Sequence, residues 1–280
     1  IKIIKKTELS NCVQNIRHSK IMYILLNSLG TPQKVVFCKL EKYNLKEKII
    51  SIQRIFPDMK DPNEKIMIED WVRGKVLNPS NQIDFNLTMK WLTKFQKETE
   101  SELLTSEEIE KESMSIKNDL QKIDDMKSLP FEKWIDEYNR HIKSLKLKKT
   151  AVHGDFQIRN ILVDRKKLLV NVIDWDWRFQ EKGNPIYDFV WLGTNLMIDG
   201  NNMIDSLSLH LEGKGKFTES IKILKNTMKI QFNQDFDFIT LQRFMILRFI
   251  TIKIKDGTVG YLSYIELLKK IQKNNYLKKF

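Results

Sequence analysis

The densest chemistry in this sequence lies between His153 and Asp188. The stretch opens His153-Gly154-Asp155-Phe156-Gln157-Ile158-Arg159-Asn160 and continues through the apolar Ile161-Leu162-Val163. A polar turn, Asp164–Lys167, follows, and then Leu168–Ile173 leads into Asp174-Trp175-Asp176. Short apolar runs joined by a polar turn predict an antiparallel hairpin, which brings both ends of the strand pair to one edge. Asn160 starts one strand and Asp174 ends the other, so they become neighbours. Both offer oxygen, the donor that hard cations such as Mg²⁺ select. Asp155 lies a short loop before Asn160 and faces the same cavity. A cation-bound phosphoryl donor beside a carboxylate is what moves a phosphoryl group onto a hydroxyl.

Other elements must hold this hairpin. Upstream, Ile21–Leu26 and Lys34–Leu40 are rich in β-branched and aromatic residues around Gly30 and Pro32, a second hairpin signal. Asn44–Phe56 has apolar residues at helical spacing. Pro57, Asp58, Asp61 and Pro62 break that pattern. Lys65–Val72 reads as another strand. From Asp84 onward the chain turns helical, with Leu87, Met89, Trp91, Leu92 and Phe95 on one amphipathic helix. Residues 97–149 are charged, with sparse anchors at Leu103, Ile109, Met114, Leu120 and Ile123. They predict two or three exposed helices, the last started by Pro130. Apolar periodicity returns in Ile221–Ile230, Phe236–Ile254 and Tyr261–Leu277. Strands first, then helices, with a hairpin embedded among them, predict an α+β protein. Its small β-rich lobe would span 1–74 and its larger helical lobe 75–280, hinged near Gly74–Pro79.

Composition narrows the classes. The chain has 280 residues, 10 Gly, 6 Pro and 2 Cys, which excludes collagen-like chains and disulfide scaffolds. Cys12 and Cys38 point to a reducing, cytoplasmic setting. No run approaches the roughly 18 apolar residues of a membrane span. The net charge of +12 raises nucleic acid as a partner, yet only nine of the 48 basic residues are Arg, the residue that reads nucleic acid best. The excess sits at the ends: +8 over residues 1–96 and +6 over 199–280, with zero over 150–198. Drift toward Lys, Ile and Asn explains this better than a nucleic-acid surface, and no recognition motif is present.

The spacing of Asp155, Asn160 and Asp174 is also that of the kinase catalytic loop and its metal-binding Asp. His-Gly-Asp stands where protein kinases have His-Arg-Asp, and Asp-Trp-Asp where they have Asp-Phe-Gly. Gly183-Asn184-Pro185-Ile186-Tyr187-Asp188 adds a Gly-x-Pro-x-x-Asp segment. Together these resemble the aminoglycoside phosphotransferase and choline kinase-like family, small-molecule kinases with the protein-kinase-like bilobal fold. Weaker similarity covers Val35-Val36-Phe37-Cys38-Lys39, Ile66–Gly74 and Met89–Thr99.

The resemblance implies roles. Asp155 would be the base for the acceptor hydroxyl, and Asn160 and Asp174 the Mg²⁺ ligands. Lys39 would pair with the phosphates of ATP, or of GTP, against the plainer reading of an exposed strand-end Lys. Its acidic partner would be Glu47, with Glu41 competing. Glu69 and Trp71 would line the adenine, and His153 and Asp188 would brace the loop. Trp175 reads as packing, and Arg159 as a surface or substrate-edge charge. Asp176 stays open between metal, substrate and solvent. No Gly-rich phosphate loop is present, so backbone around Ile16–Lys20 would have to take its place.

A polycationic acceptor calls for an acidic pocket, and the C-terminal segment is basic. A neutral or anionic alcohol, such as a sugar or sugar-phosphate, fits better than an aminoglycoside. Tyr187, Trp191, Phe244, Phe249, Tyr261 and Tyr264 would either stack on such a substrate or fill the helical core. An aminoglycoside or choline-type kinase and a non-catalytic nucleotide-binding protein are the alternatives.

Overall fold

The computed structural model describes residues 12–17, 20–26, 32–39, 60–63, 66–70, 72–175, 178–198, 203–255, 257 and 261–273. The expected helix over Asn44–Phe56, Glu41, Glu47, Trp71 and Asp176 lie outside them.

The N-terminal strands form one antiparallel sheet in the order β1 (Cys12–Arg17), β2 (Lys20–Leu26), β3 (Pro32–Lys39), β5 (Ile66–Asp70), β4 (Lys60–Asn63). The β-branched and aromatic residues of β2 and β3 suit a pleated surface, and their register runs from Lys20 opposite Lys39 to Leu25 opposite Lys34. Lys39 therefore ends a central strand, and Glu69 pairs with Val35 on the next. β1 was not legible in the sequence. β4 forms across Asp61 and Pro62, where a break was expected, at the sheet edge that tolerates proline.

The helical part begins with α1 (Gln82–Glu98), capped by the Asn81 side chain on the N–H of Asp84. Phe85, Met89, Leu92 and Phe95 recur at helical spacing and are buried. α2 (Ser106–Leu120) starts with a Thr105–Glu108 capping box. α3 (Phe131–Ser144) begins after Pro130, as the sequence predicts, and buries Trp134, Ile135, Tyr138 and Ile142. These helices are thus not exposed rods; each gives one face to the core. Of the expected anchors, Ile109 and Leu120 are buried, but Leu103 and Met114 are 53% and 59% exposed.

α4 (Ile186–Met197) is buried almost throughout and packs on α6 (Thr218–Phe232) and α7 (Phe238–Lys255). α5 (Met203–Leu211) and α8 (Leu262–Lys273) flank them. Set into the helices are two small sheets. One orders β6 (Lys75–Val76), β8 (Ile161–Asp164) and β9 (Leu169–Val172); the other pairs β7 (Thr150–Val152) with β10 (Gln180–Gly183). No described helix is long and apolar enough to cross a membrane.

Candidate active site

The expected hairpin is β8–β9, with Ile161 opposite Val172. A short 3-10 turn, Ile158–Asn160, leads into it. The N–H of Ile173 donates to the carbonyl of Asn160 at 2.9 Å, which sets the backbone of Asn160 against the residue before Asp174. Asp174 has φ +65°, a left-handed conformation uncommon outside glycine and found where a site constrains the backbone.

The loop carrying Asp155 is braced from three sides. Asp188, in the first turn of α4, accepts from the N–H groups of His153 (2.8 Å) and Gly154 (3.0 Å). Burial pushes its carboxyl above the usual range, against the pull of His153 and these two N–H groups. His153 is fully buried; its Nδ1 accepts from the N–H of Asp155, which leaves Nε2 to donate to the carbonyl of Ile173. That ring ties the loop to the residue before Asp174. Gly154 has φ +79°, and a Cβ there would lie 2.2 Å from the carbonyl oxygen of Arg178. Only glycine lets the two backbones pass so closely.

Asp155 itself is 1% exposed. Its Oδ1 accepts from the indole N–H of Trp191 at 3.1 Å. Its Oδ2 accepts from Gln157 (2.8 Å) and Asn160 (3.2 Å) and pairs with the guanidinium of Arg178 at 2.7 Å. Asn160 Nδ2 also donates to the backbone carbonyl of Asp155. With its nitrogen committed there, Asn160 has its carbonyl oxygen to give a cation. Asn160 and Asp174 together are an all-oxygen pair of the kind that holds Mg²⁺ when phosphates and water complete the shell. No group of three or more His, Cys, Asp or Glu that could hold a metal ion gathers among the described residues.

Aromatic residues wall the loop. Trp91 stacks on Phe95 and Phe156, and Trp175 meets Phe95, Phe179 and His153, so Trp175 is packing as expected. Trp191 stacks on Phe249, and Phe249 meets Tyr264 of α8. Burial and the nearby Asp155 carboxylate push the Tyr264 hydroxyl above its usual range, with Arg159 opposing. Tyr187, Trp191, Phe244 and Phe249 are buried core, whereas Tyr261 and Tyr264 are half-buried.

Three residues at Asp155 escaped the sequence reading: Gln157, Arg178 and the donor role of Trp191. Trp191 had a signal, since it follows Asp188 by three positions and so shares its helix face. Arg178 had none. Lys39 and Glu69 lie at strand positions of the five-stranded sheet, and Ile16–Lys20 spans the turn between β1 and β2, whose residues 18–19 are outside those described.

Residues 87–211 match the phosphotransferase enzyme family (APH). No curated relative matches the chain by sequence. Solved structures share its kinase-like fold at low identity. An ethanolamine kinase from Plasmodium vivax is 13% identical with a TM-score of 0.61, over 95% of this chain and 82% of that one. A macrolide 2'-phosphotransferase from Brachybacterium faecium is 8% identical with a TM-score of 0.58, over 92% of this chain and 91% of that one. APH(2'')-IIia, solved with GDP and kanamycin, is 12% identical with a TM-score of 0.61, over 97% of this chain and 96% of that one.

Proposed function

We propose which phosphoryl transfer this chain performs, given that its residues 87–211 match the phosphotransferase enzyme family. It moves the γ-phosphoryl group of ATP, with Mg²⁺, onto a hydroxyl of a neutral or anionic small molecule. The observation that carries this reading is the bond from the Asn160 amide to the Asp155 carboxylate, with the Ile173–Asn160 backbone bond holding the residue before Asp174 beside them. The lobes 1–74 and 75–280 would divide nucleotide from acceptor, with Lys39 on the phosphates and Glu69 beside the base. Glu47 and Trp71 keep the roles the resemblance gives them. A cytoplasmic setting rests on the two-cysteine composition.

The chemistry follows from the residues. Asp155 orients the acceptor hydroxyl and receives its proton. The oxygen so freed bonds to the γ-phosphorus while the bond from that phosphorus to the departing nucleoside diphosphate breaks. Asn160 and Asp174 would hold Mg²⁺, whose charge, when bound, neutralises the phosphate oxygens. Buried Trp191 and the aromatic wall keep water from Asp155 and hold the carboxylate in one orientation. His153 and Asp188 fix the loop and take no proton in the step.

The family match ends at residue 211, so α6, α7 and α8 are where this chain's acceptor preference is its own. Arg178 pairs with Asp155, a local positive charge that disfavours a polycation.

Mg²⁺ with ATP is expected to raise the melting temperature, and Asp174→Ala to remove the rise. Asp155→Asn should keep the rise and lose transfer. GTP is run beside ATP, and a library of hydroxyl compounds with γ-labelled nucleotide identifies the acceptor. No thermal shift with either nucleotide sinks the reading. One observation favours a second reading, nucleotide binding without transfer: Asp155 is enclosed by donors from Gln157, Asn160, Trp191 and Arg178. A thermal shift with no turnover on any acceptor is its signature.

A further inference from the structure

Helices α2, α3, α4 and α7 meet at a buried chain of hydrogen bonds. Arg248 of α7 donates through Nε to Oε1 of Glu112, on α2, at 3.0 Å. Its guanidinium also lies over the Tyr187 ring, 4.7 Å from the centroid. Tyr187 belongs to α4, and its hydroxyl donates to Oε2 of the same Glu112. The Tyr138 hydroxyl of α3 lies 3.2 Å from that of Tyr187 and accepts from Asn184 Nδ2 at 3.0 Å. Asn184 Oδ1 accepts from the N–H of Ile186 at 3.2 Å, in the turn that starts α4. Tyr138, Tyr187, Asn184 and Arg248 are buried, and Glu112 is partly exposed.

Both ends of this chain allow one direction only. A guanidinium and a backbone N–H donate and never accept. Glu112 therefore accepts on both oxygens, and Asn184 turns its oxygen to Ile186 and its nitrogen to Tyr138. Burial, followed by the Glu112 charge, pushes both tyrosine hydroxyls above their usual range, so each keeps its proton. Each then accepts once and donates once, with Tyr138 donating to Tyr187. Every proton of the chain points toward Glu112.

We propose that Glu112 and Arg248 are a positioning pair for phosphoryl transfer: they set the direction of this chain, and the chain sets the Asn184 cap on the turn that carries Asp188. Asp188 in turn holds the N–H groups of His153 and Gly154, just before Asp155. This rests on the phosphotransfer reading above and adds to it two residues outside the His153–Asp188 stretch. The surroundings agree. Burial pushes the Asp188 carboxyl up, and the Arg248 charge is among the groups that oppose it. Gln96 of α1 ties the same turn separately, donating to the Pro185 carbonyl at 2.6 Å. A change at Glu112 therefore loosens the turn and leaves it anchored.

Glutamine at 112 offers one acceptor oxygen to two donors. The charged guanidinium bonds that oxygen more strongly than a hydroxyl does. The amide nitrogen is left facing Tyr187, whose hydroxyl can rotate. The chain then reverses: Tyr187 donates to Tyr138, Tyr138 donates to Asn184, and the Asn184 oxygen turns away from Ile186.

The test compares the full chain with Glu112→Gln and with Glu112→Gln/Arg248→Met, all folded by circular dichroism. Amide hydrogen exchange at Ile186, His153 and Gly154 is read by NMR, and hydrolysis of Mg-ATP, with water as acceptor, is measured beside it. In Glu112→Gln the three amides should exchange at least about fivefold faster, the factor that losing one ordinary hydrogen bond gives. Hydrolysis should slow by a similar factor while the Mg-ATP thermal shift stays at the wild-type value. The double variant removes the competing donor, so the amide oxygen returns to Tyr187 and the direction is restored. It should recover most of the protection and most of the rate, which a loss of packing alone would not do. Equal exchange in wild type and Glu112→Gln, equal hydrolysis in the two whether or not it is detected, or a double variant no better than the single one overturns the pair. If wild type still shows the Mg-ATP thermal shift in that case, only the pair has failed. If wild type shows no such shift, the phosphotransfer reading has failed, whatever the amides do.

Discussion

Asp188 holds the peptide groups of His153 and Gly154 on its two carboxylate oxygens, at 2.8 and 3.0 Å. One buried side chain thereby sets the backbone immediately before Asp155. Asp188→Ala leaves both N–H groups without partners away from water, and each such orphan costs about 1–3 kcal/mol. The melting temperature should fall by at least about 5 °C, the response of a chain this size to a loss of that order. Asp188→Asn keeps one acceptor oxygen and should fall between. Thermal melting of the three proteins checks this, and a wild-type melt in Asp188→Ala refutes it.

Gly154 is the point where the loop and the Arg178 segment touch. Alanine there meets the Arg178 carbonyl at 2.2 Å and must hold φ near +79°. Left-handed strain alone costs about 1–3 kcal/mol, and the clash forces the Arg178 segment and β10 away. Gly154→Ala should melt lower and lose nucleotide turnover, while far-ultraviolet circular dichroism at low temperature keeps its helical signal. Full turnover in this variant would contradict the close approach.

Much of this site was legible because it is local. Asp155 and Asn160 meet across one short loop, and one hairpin pairs Asn160 with Ile173, the neighbour of Asp174, so spacing and alternation suffice. α1 and α3 were legible for the same reason: Phe85, Met89, Leu92 and Phe95, or Trp134 and Tyr138, keep a helical period. What the sequence hid depends on pairing over distance or on strands of poor propensity. β10 is Gln-Glu-Lys-Gly, with no β-branched or aromatic residue. It becomes a strand only because β7 lies alongside. Arg178 reaches Asp155 through that pairing, and nothing near Arg178 in the sequence marks it out. β4 is similar, a strand across Asp61-Pro62 formed by its neighbour β5.

His141 gives the fold a pH dependence away from the site. Its Nε2 accepts the N–H of Asp237 at 3.2 Å, which ties the end of α3 to the start of α7. Burial pushes the imidazole below its usual range, with Asp237 opposing. In the window below about 6.5, the unfolded chain therefore binds more protons at His141 than the folded chain does. The stability this contributes is full above the unfolded value and is lost as pH falls through the window. One lost hydrogen bond is worth about 1 kcal/mol, or roughly 2–4 °C of melting temperature. His141→Gln keeps an acceptor but no titratable ring. Between pH 7 and pH 5, wild type should lose more of its melting temperature than the variant by about that amount, as read by calorimetry. Parallel pH curves would rule the coupling out.

Trp191 separates orientation of Asp155 from packing around it. Its ring stacks on Phe249 with centroids 4.4 Å apart, while its N–H donates to Asp155 Oδ1. Trp191→Phe keeps an aromatic ring against Phe249 and deletes only the donor. A hydrogen bond to a charged group contributes about 1.5–3 kcal/mol, so a carboxylate lacking this one is free to turn. Turnover should drop about tenfold, the rate equivalent of a loss near the low end of that range. The Mg-ATP thermal shift should stay at the wild-type value, because Asn160 and Asp174 are untouched. The two measurements together are decisive: a variant that loses the nucleotide shift has lost its packing, and one that keeps full turnover shows that Trp191 does not orient the base.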